Sequence, residues 1–441
     1  MPSNPSTVPM LTADLPGTGG ALKERPEDFT VDEQPLYEPS GQGEHLYLFL
    51  EKREATTMQA IKAVAKAFRV PQKAVGHAGL KDKHAVTRQH LSVWLPGAPD
   101  PGAEEAGVAR VNCHPRLHVH WAERHGNKLR RGHHGGNRFG IKVRGVGPAA
   151  VLRARPILDR LATRGLPNAV GPQRFGFRGN AHRLGERLLR GDAGGFLAEL
   201  LGADGEDENP RLTEARAAYR AGNLEAAIAG WPKSLPHERQ ALDNLRQGRD
   251  AGAVVRSIAR TQRDFLVSAL QSAAFNAVLA RRIEAGTWDR LLDGDLAWKH
   301  ANRACFPVDA GLAAEENAEG GRVGSFEVSP SGPLPGPGCQ PAACEALAVE
   351  EAALADAGLE RGLFEPRDPE GERPLAEAGG ARRPLRVPVR DVTYGAGADE
   401  HGPFLRVSFE LGRGVYATSV MAEVMKNSRG AEPRSGALSP T

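Results

Sequence analysis

Phe404-Leu405-Arg406-Val407-Ser408-Phe409-Glu410-Leu411 decides the fold. From Leu405 onward apolar and polar residues alternate, the period-2 pattern of a strand with one buried face. Leu385-Arg386-Val387-Pro388-Val389-Arg390 shows the same strand character shortly before it. C-terminal strands need neighbours to satisfy their edges, and matching strand patterns recur near the N-terminus: Phe29–Asp32, His45–Leu50, Leu91–Leu95, Leu117–Trp121 and Phe139–Arg144. Between the two strand-rich ends, from about Leu166, the composition turns to Ala, Leu, Arg and Glu with helical spacing. Helices are expected at Ala149–Thr163, Ala181–Arg190, Thr213–Tyr219 and, as one long element, Val254–Ala285. The fold class is therefore α/β (α+β): a sheet-containing domain made from both ends of the chain and interrupted by a helix-rich insertion.

The boundaries that follow are a disordered tail over 1–22, a sheet domain from 23–165 and 386–428, a helical insertion over 166–385, and a second disordered tail over 429–441. Gly320-Gly321 and the Pro/Gly-rich Ser329–Pro341 read as linkers or loops. Thr56 or Thr57 caps a helix whose apolar positions Met58, Ile61, Ala65 and Phe68 recur at helical offsets before Pro71. The 441 residues exceed what one core normally organises. No run approaches the roughly 18 apolar residues of a membrane span, and the Pro-rich start lacks the order of a secretory signal, so a cytoplasmic protein is expected.

Cys113, Cys305, Cys339 and Cys344 have no zinc-ligand spacing and read as reduced thiols. The histidines His114, His118, His120, His125, His133 and His134 lack partners at a regular offset, so no metal site is expected. A net charge of +3 does not by itself imply a nucleic-acid partner. Its distribution says more: Arg124, Lys128, Arg130, Arg131, Arg138, Lys142 and Arg144 occur without an acidic residue among them, while acid collects at Asp204–Glu208. Such a stripe is either a footprint for phosphates or a solvated strand-loop-strand.

The chemistry points to Gly79-Leu80-Lys81-Asp82-Lys83-His84-Ala85-Val86-Thr87-Arg88, which sets one carboxylate between two lysines in a glycine-punctuated loop. Flanking ammonium groups favour an ionised carboxylate, and a shielded one is a nucleophile or base at neutral pH. The plain alternative is a solvated Lys-Asp-Lys turn. Asp82 is expected between a helix and a strand.

Five ordered segments resemble the TruD family of tRNA pseudouridine synthases. They are Arg25–Glu33, Gly79–Lys83 with Ala85-Val86-Thr87, Gly136-Asn137-Arg138-Phe139, Pro167-Asn168 with Gly171–Gly176, and Tyr416–Val420. The resemblance implies a pseudouridine synthase catalytic domain with a mixed or antiparallel sheet and a helical TruD insertion, acting on tRNA with no cofactor or metal; a monomer is expected. The implied reaction converts uridine to pseudouridine, usually at position 13 of the D-arm. By the same resemblance Asp82 is catalytic, and Phe29, Asn137, Phe139 and Tyr416 contact the substrate; from their charge, Lys81, Lys83, Arg88, Lys128, Arg130 and Arg131 are expected to serve the RNA backbone. Tyr416 stands where the family commonly has phenylalanine, and His77 and Arg138 receive no role. On pattern alone Phe29 and Phe139 are equally core residues of alternating strands, and Asn137 a turn residue. Two other functions remain open: a non-catalytic RNA-binding protein, and a carboxylate-dependent nucleoside or RNA glycosidase. A metal hydrolase using the histidines ranks last.

Overall fold

The computed structural model describes residues 8–202, 209–366 and 375–427. The acidic run at 204–208 and the tail at 429–441 lie outside them. The chain divides into two compact units, one of Pro167–Arg386 with the residues up to Pro9, the other of Met10–Leu166 with the chain from Val387 on.

The second unit is built on one mixed sheet. Its strands are β1 (Phe29–Pro35), β2 (His45–Arg53), β3 (Val75–His77), β4 (Val86–Trp94), β5 (Leu117–His125), β6 (His134–Arg144), β7 (Val389–Asp399) and β8 (Gly402–Gly412). The order is β7-β8-β6-β1-β4-β2-β5, with β3 also on β4. Only the β1–β4 pairing is parallel. The alternation in Phe404–Leu411 has a direct structural result: Leu405, Val407, Phe409 and Leu411 are all buried, and β8 lies beside β6 with Phe409 opposite Phe139.

The helices of this unit are α1 (Thr57–Ala67), α2 (Pro101–Asn112), α3 (Ala150–Arg164) and α4 (Ala417–Met425). Thr56 caps α1 in a capping box: its hydroxyl accepts from the Gln59 amide at 3.1 Å, and the Gln59 side chain takes the Thr56 amide at 2.8 Å. The apolar face of α1 packs with Leu46, Leu48, Leu50, Leu91 and Val93.

The expectation of disorder before residue 23 is corrected for residues 10–22. The Leu11 and Thr12 amides donate to the Glu423 carboxylate on α4 at 2.8 and 3.1 Å. Thr18 and Gly19 continue the C-terminal turn of α4 through the carbonyls of Val424 and Met425, and Ala21 bridges to Arg144. The segment is anchored by Leu11, Leu15 and Leu22, which pack against the sheet core, and it supplies amide donors to a buried carboxylate and to otherwise unsatisfied helix-end carbonyls.

The other unit is helix-rich around one core that joins Leu184, Leu188, Phe196, Leu242, Leu270 and Leu354 among others. Two expectations are corrected here. The long helix is two, Ala251–Ser257 and Arg260–Glu284, because Ile258 and Ala259 between them adopt extended backbone with ψ of 135° and 136°. Ser329–Pro341, expected as loop, begins within the strand Val328–Leu334, which is buried over its first six residues. Its first part pairs with Leu296–Lys299 and its second with Ala381–Pro384. Each half thus has one paired edge, and the missing amide hydrogens of Pro330 and Pro333 are tolerated at the other.

Candidate active site

The sheet splits along one edge of β4. There β1 pairs with Val86–Arg88 and β3 with Leu91–Val93, leaving the amide of His90 between them. Glu33, one residue past the parallel pairing, fills the gap by accepting that amide at 3.0 Å. The loop from β3 to β4, which carries Asp82, leaves the sheet at this split. Its Lys81 ammonium returns to the same carboxylate, 2.6 Å from Glu33 Oε2, with both side chains almost fully buried. Burial alone would raise the Glu33 carboxyl, but the hydrogen bonds from His90 and the charge of Lys81 outweigh it and hold the group below its ordinary value.

Two further contacts fix the loop backbone. The Lys81 amide donates to Thr57 Oγ1 at 3.0 Å. Lys52 of β2 donates to the carbonyls of Asp82 at 2.6 Å, Ala55 at 2.7 Å and Lys81 at 3.4 Å. Lys52 is wholly buried, and that burial pushes its ammonium down to about 8.

The Asp82 carboxylate itself is 53 % exposed, with Oδ2 2.7 Å from Lys23 Nζ. The same ammonium lies 4.3 Å from the centre of the Phe29 ring. Phe29 meets Phe139 edge-on at 6.1 Å, and Phe139 meets Phe409 at 5.6 Å. The carboxylate and its cation thus lie against a ring cluster that belongs to the sheet core: Phe29 is 2 % and Phe139 7 % exposed. Lys23 has a left-handed backbone with φ of 57°, a conformation that non-glycine residues adopt at a cost and that clusters at functional sites.

Asn137 sits opposite Glu33 and Phe139 opposite Val31 in the β1–β6 register, so Asn137 and Phe139 share the face that carries Glu33. The Asn137 side-chain oxygen is buried without a hydrogen-bond partner, an acceptor left open on that face. Tyr416 is 65 % exposed and is the N-cap residue of α4.

Part of the sequence reading needs correction. Lys81 does not flank Asp82 with a free charge and does not present its ammonium to RNA, because Glu33 neutralises it in the interior. Arg88 is bound to Asp32 at 3.1 Å and Glu51 at 2.9 Å. Lys83, Arg130 and Arg131 are exposed, while Lys128 donates to the Lys73 carbonyl at 2.5 Å. The segment carrying Arg130 and Arg131 meets the Asp82 loop through the Gly132 amide and the Ala78 carbonyl at 2.7 Å. Among the described residues no group of three His, Cys, Asp or Glu is placed to hold a metal ion, and no helix is long and apolar enough to cross a membrane.

Lys23, Lys52 and Glu33 are the residues the sequence reading missed. Two of them left a signal. Glu33 follows Phe29 and Val31, and Lys52 follows Leu46, Leu48 and Leu50, each at the inward positions of its strand. A charge on an apolar register is buried and must have partners.

Comparison with known proteins identifies the family. Residues 7–424 match the family described as tRNA pseudouridine synthase D (TruD). A tRNA pseudouridine synthase D of Geobacter sulfurreducens is 41% identical over 420 residues, covering 94% of this chain and 96% of the relative. One from Syntrophotalea carbinolica is 38% identical over 424 residues, covering 94% and 98%. A crystal structure of a candidate TruD from Methanosarcina mazei superposes with a TM-score of 0.83 at 26% identity, covering 96% of this chain and 97% of that one. The chain belongs to the tRNA pseudouridine synthase D (TruD) family, and with it to the isomerases.

Proposed function

We propose that this protein isomerises uridine to pseudouridine in tRNA at position 13 of the D-arm, with Asp82 as the reacting carboxylate. The observation that carries this reading is the half-exposed Asp82 carboxylate held by Lys23 against the Phe29–Phe139 wall. Substrate and product are isomers, so the reaction calls for no redox partner or group donor. The bond from the ribose to uracil N1 breaks, the ring turns, the ribose bonds to C5, the C5 proton leaves and N1 gains one. Asp82 either attacks the sugar carbon or removes a sugar proton. A carboxylate also suits the positive charge that grows on the sugar as the base departs.

Phe139, 7 % exposed in the free protein, meets the loosened base once it is extruded into the site, a stacking contact worth roughly 1–3 kcal/mol per base that leaves the base free to turn. The open Asn137 oxygen suits an N–H of the base or a ribose hydroxyl. Tyr416 serves as a further substrate contact. Extruding the uridine costs a few kcal/mol, which Lys83, Arg130 and Arg131 offset through phosphates, with Lys128 beside them. The enzyme works as a monomer in the cytoplasm.

The test is to incubate the purified protein with tRNA carrying labelled uridine and to assay for pseudouridine and for free uracil. Pseudouridine at position 13, lost when that uridine is replaced by cytidine, is the expected result. Release of free base would make the protein a glycosidase, and RNA binding without product would make it a binding protein.

A further inference from the structure

We propose that Lys52 is a positioning residue, whose buried ammonium holds the carbonyls of Ala55, Lys81 and Asp82 and thereby fixes the peptide from which the reactive carboxylate projects. The inference rests on the role given to Asp82 above, and deepens it.

Asp82 presents a problem of construction. A reacting group must be held to within a fraction of an ångström, yet the Asp82 side chain is half exposed and sits on a loop. Packing of the side chain cannot supply that precision, so it has to come from the backbone. The Lys52 ammonium has three N–H donors and three carbonyl partners, at 2.6 Å from Asp82, 2.7 Å from Ala55 and 3.4 Å from Lys81. These belong to the catalytic loop and to the turn that enters α1, while Lys52 itself is on β2. The loop is thereby referenced to the sheet and to α1 at once. Thr57, the first residue of α1, takes the Lys81 amide at 3.0 Å, so Lys81, the residue before Asp82, is held at both its amide and its carbonyl.

The chemistry of the group is unusual for a merely structural role. A fully buried lysine is rare unless paired, and here all three hydrogen-bond partners are neutral carbonyls. The charges facing it are Asp82, which attracts, and Lys81, which repels. Its positive charge thus lies under the reactive carboxylate, complementing Lys23 at the surface. Deprotonation removes one donor and the charge together. Because burial lowers the ammonium to about 8 from an ordinary 10.5, the folded state sheds this proton before the unfolded chain does. The group's contribution to stability therefore rises between about pH 8 and 10.5, while its hold on the loop weakens. Loss of activity with retained stability on the alkaline side is the signature.

The experiment compares wild type and Lys52→Met by amide hydrogen exchange, RNA binding and single-turnover rate with saturating tRNA. For folded Lys52→Met the expected result is faster exchange of the Lys81 amide with the rest of the sheet unchanged. Alongside it the rate should fall about 100-fold, the scale of an ångström-level misplacement, with RNA affinity within about twofold. Unchanged exchange at Lys81, or a folded variant that keeps the rate within about threefold, overturns the proposal. If Lys52→Met does not fold, Lys52→Arg decides: faster exchange of the Lys81 amide with a reduced single-turnover rate supports the proposal, and wild-type exchange and rate in folded Lys52→Arg overturn it. If wild type makes no pseudouridine, the functional reading fails, and the exchange measurement, using wild-type protein against Lys52→Arg as well where Met is unfolded, still decides whether Lys52 fixes the loop.

Discussion

Both units bury ion pairs, and they use them differently. In the helix-rich unit, Arg382 on the strand Ala381–Pro384 meets Glu350 on the helix Cys344–Asp356 at 2.7 Å, and its guanidinium also reaches the carbonyl and hydroxyl of Ser331. Arg282 and Asp295 form a second buried pair at 3.0 Å. The first pair joins one core element to another, and the second ties the long helix Arg260–Glu284 to the turn that enters the strand Leu296–Lys299. The sheet unit has a core pair of its own, Arg144 with Asp28 at 2.7 Å, but its other buried pair, Glu33 with Lys81, joins a strand to a loop, and the residue after Lys81 is the half-exposed Asp82. The same interaction staples a core in one place and supports a half-exposed carboxylate in the other. Charge burial alone therefore does not mark a functional site; what the buried charge holds in place does.

The largest effect expected is on Asp82 itself. Asp82→Asn should lower pseudouridine formation by at least about 100-fold to 10,000-fold, with tRNA binding largely kept because phosphate charge dominates affinity. Product at the wild-type rate would remove Asp82 from the reaction and dissolve the contrast between the units.

Arg382→Met should cost about 3 kcal/mol by leaving buried Glu350 with only the more distant Arg361 at 3.6 Å as its cation, read as a shift of the denaturation midpoint, while the turnover of protein that remains folded stays near wild type. A selective loss of turnover there would break the comparison.

Lys81→Met sharpens the comparison from the other side, because it should lower both stability and turnover. The Glu33 carboxyl is held below its ordinary 4.5, so its stabilising contribution is complete above that value and is lost as pH falls through the lower folded-state value. Without Lys81 that margin shrinks, and the acid-unfolding midpoint should move to higher pH.

The smallest effect is electrostatic. Arg130→Ala with Arg131→Ala should reduce the slope of log affinity against log salt by about 1.5–2. Arg88→Ala should leave the slope unchanged, since Asp32 and Glu51 already hold that guanidinium.

Much of the fold was legible because local pattern and burial coincide. The alternation in β6 and β8 placed Phe139, Ile141, Val407 and Phe409 inward, and all are buried. Helix α1 declared itself by its cap. Where reading failed, the deciding contact was distant: Glu423 orders residues 11 and 12 from more than 400 positions away. Likewise the break at Ile258 and Ala259 leaves helical periodicity almost unaltered on either side, so spacing did not reveal it.

The amino-acid sequence alone determined the sheet-helix-sheet order, the family motifs and the carboxylate at position 82, because strand alternation and motif spacing are local properties of the chain. Only the tertiary structure decided which cations serve that carboxylate. Lys81, beside it in sequence, is turned inward to Glu33, and Lys23, 59 residues away, takes its place. The reason is geometric. A loop leaving a split sheet turns successive side chains to opposite sides, so neighbours along the chain become strangers in space, and the fold chooses the partner.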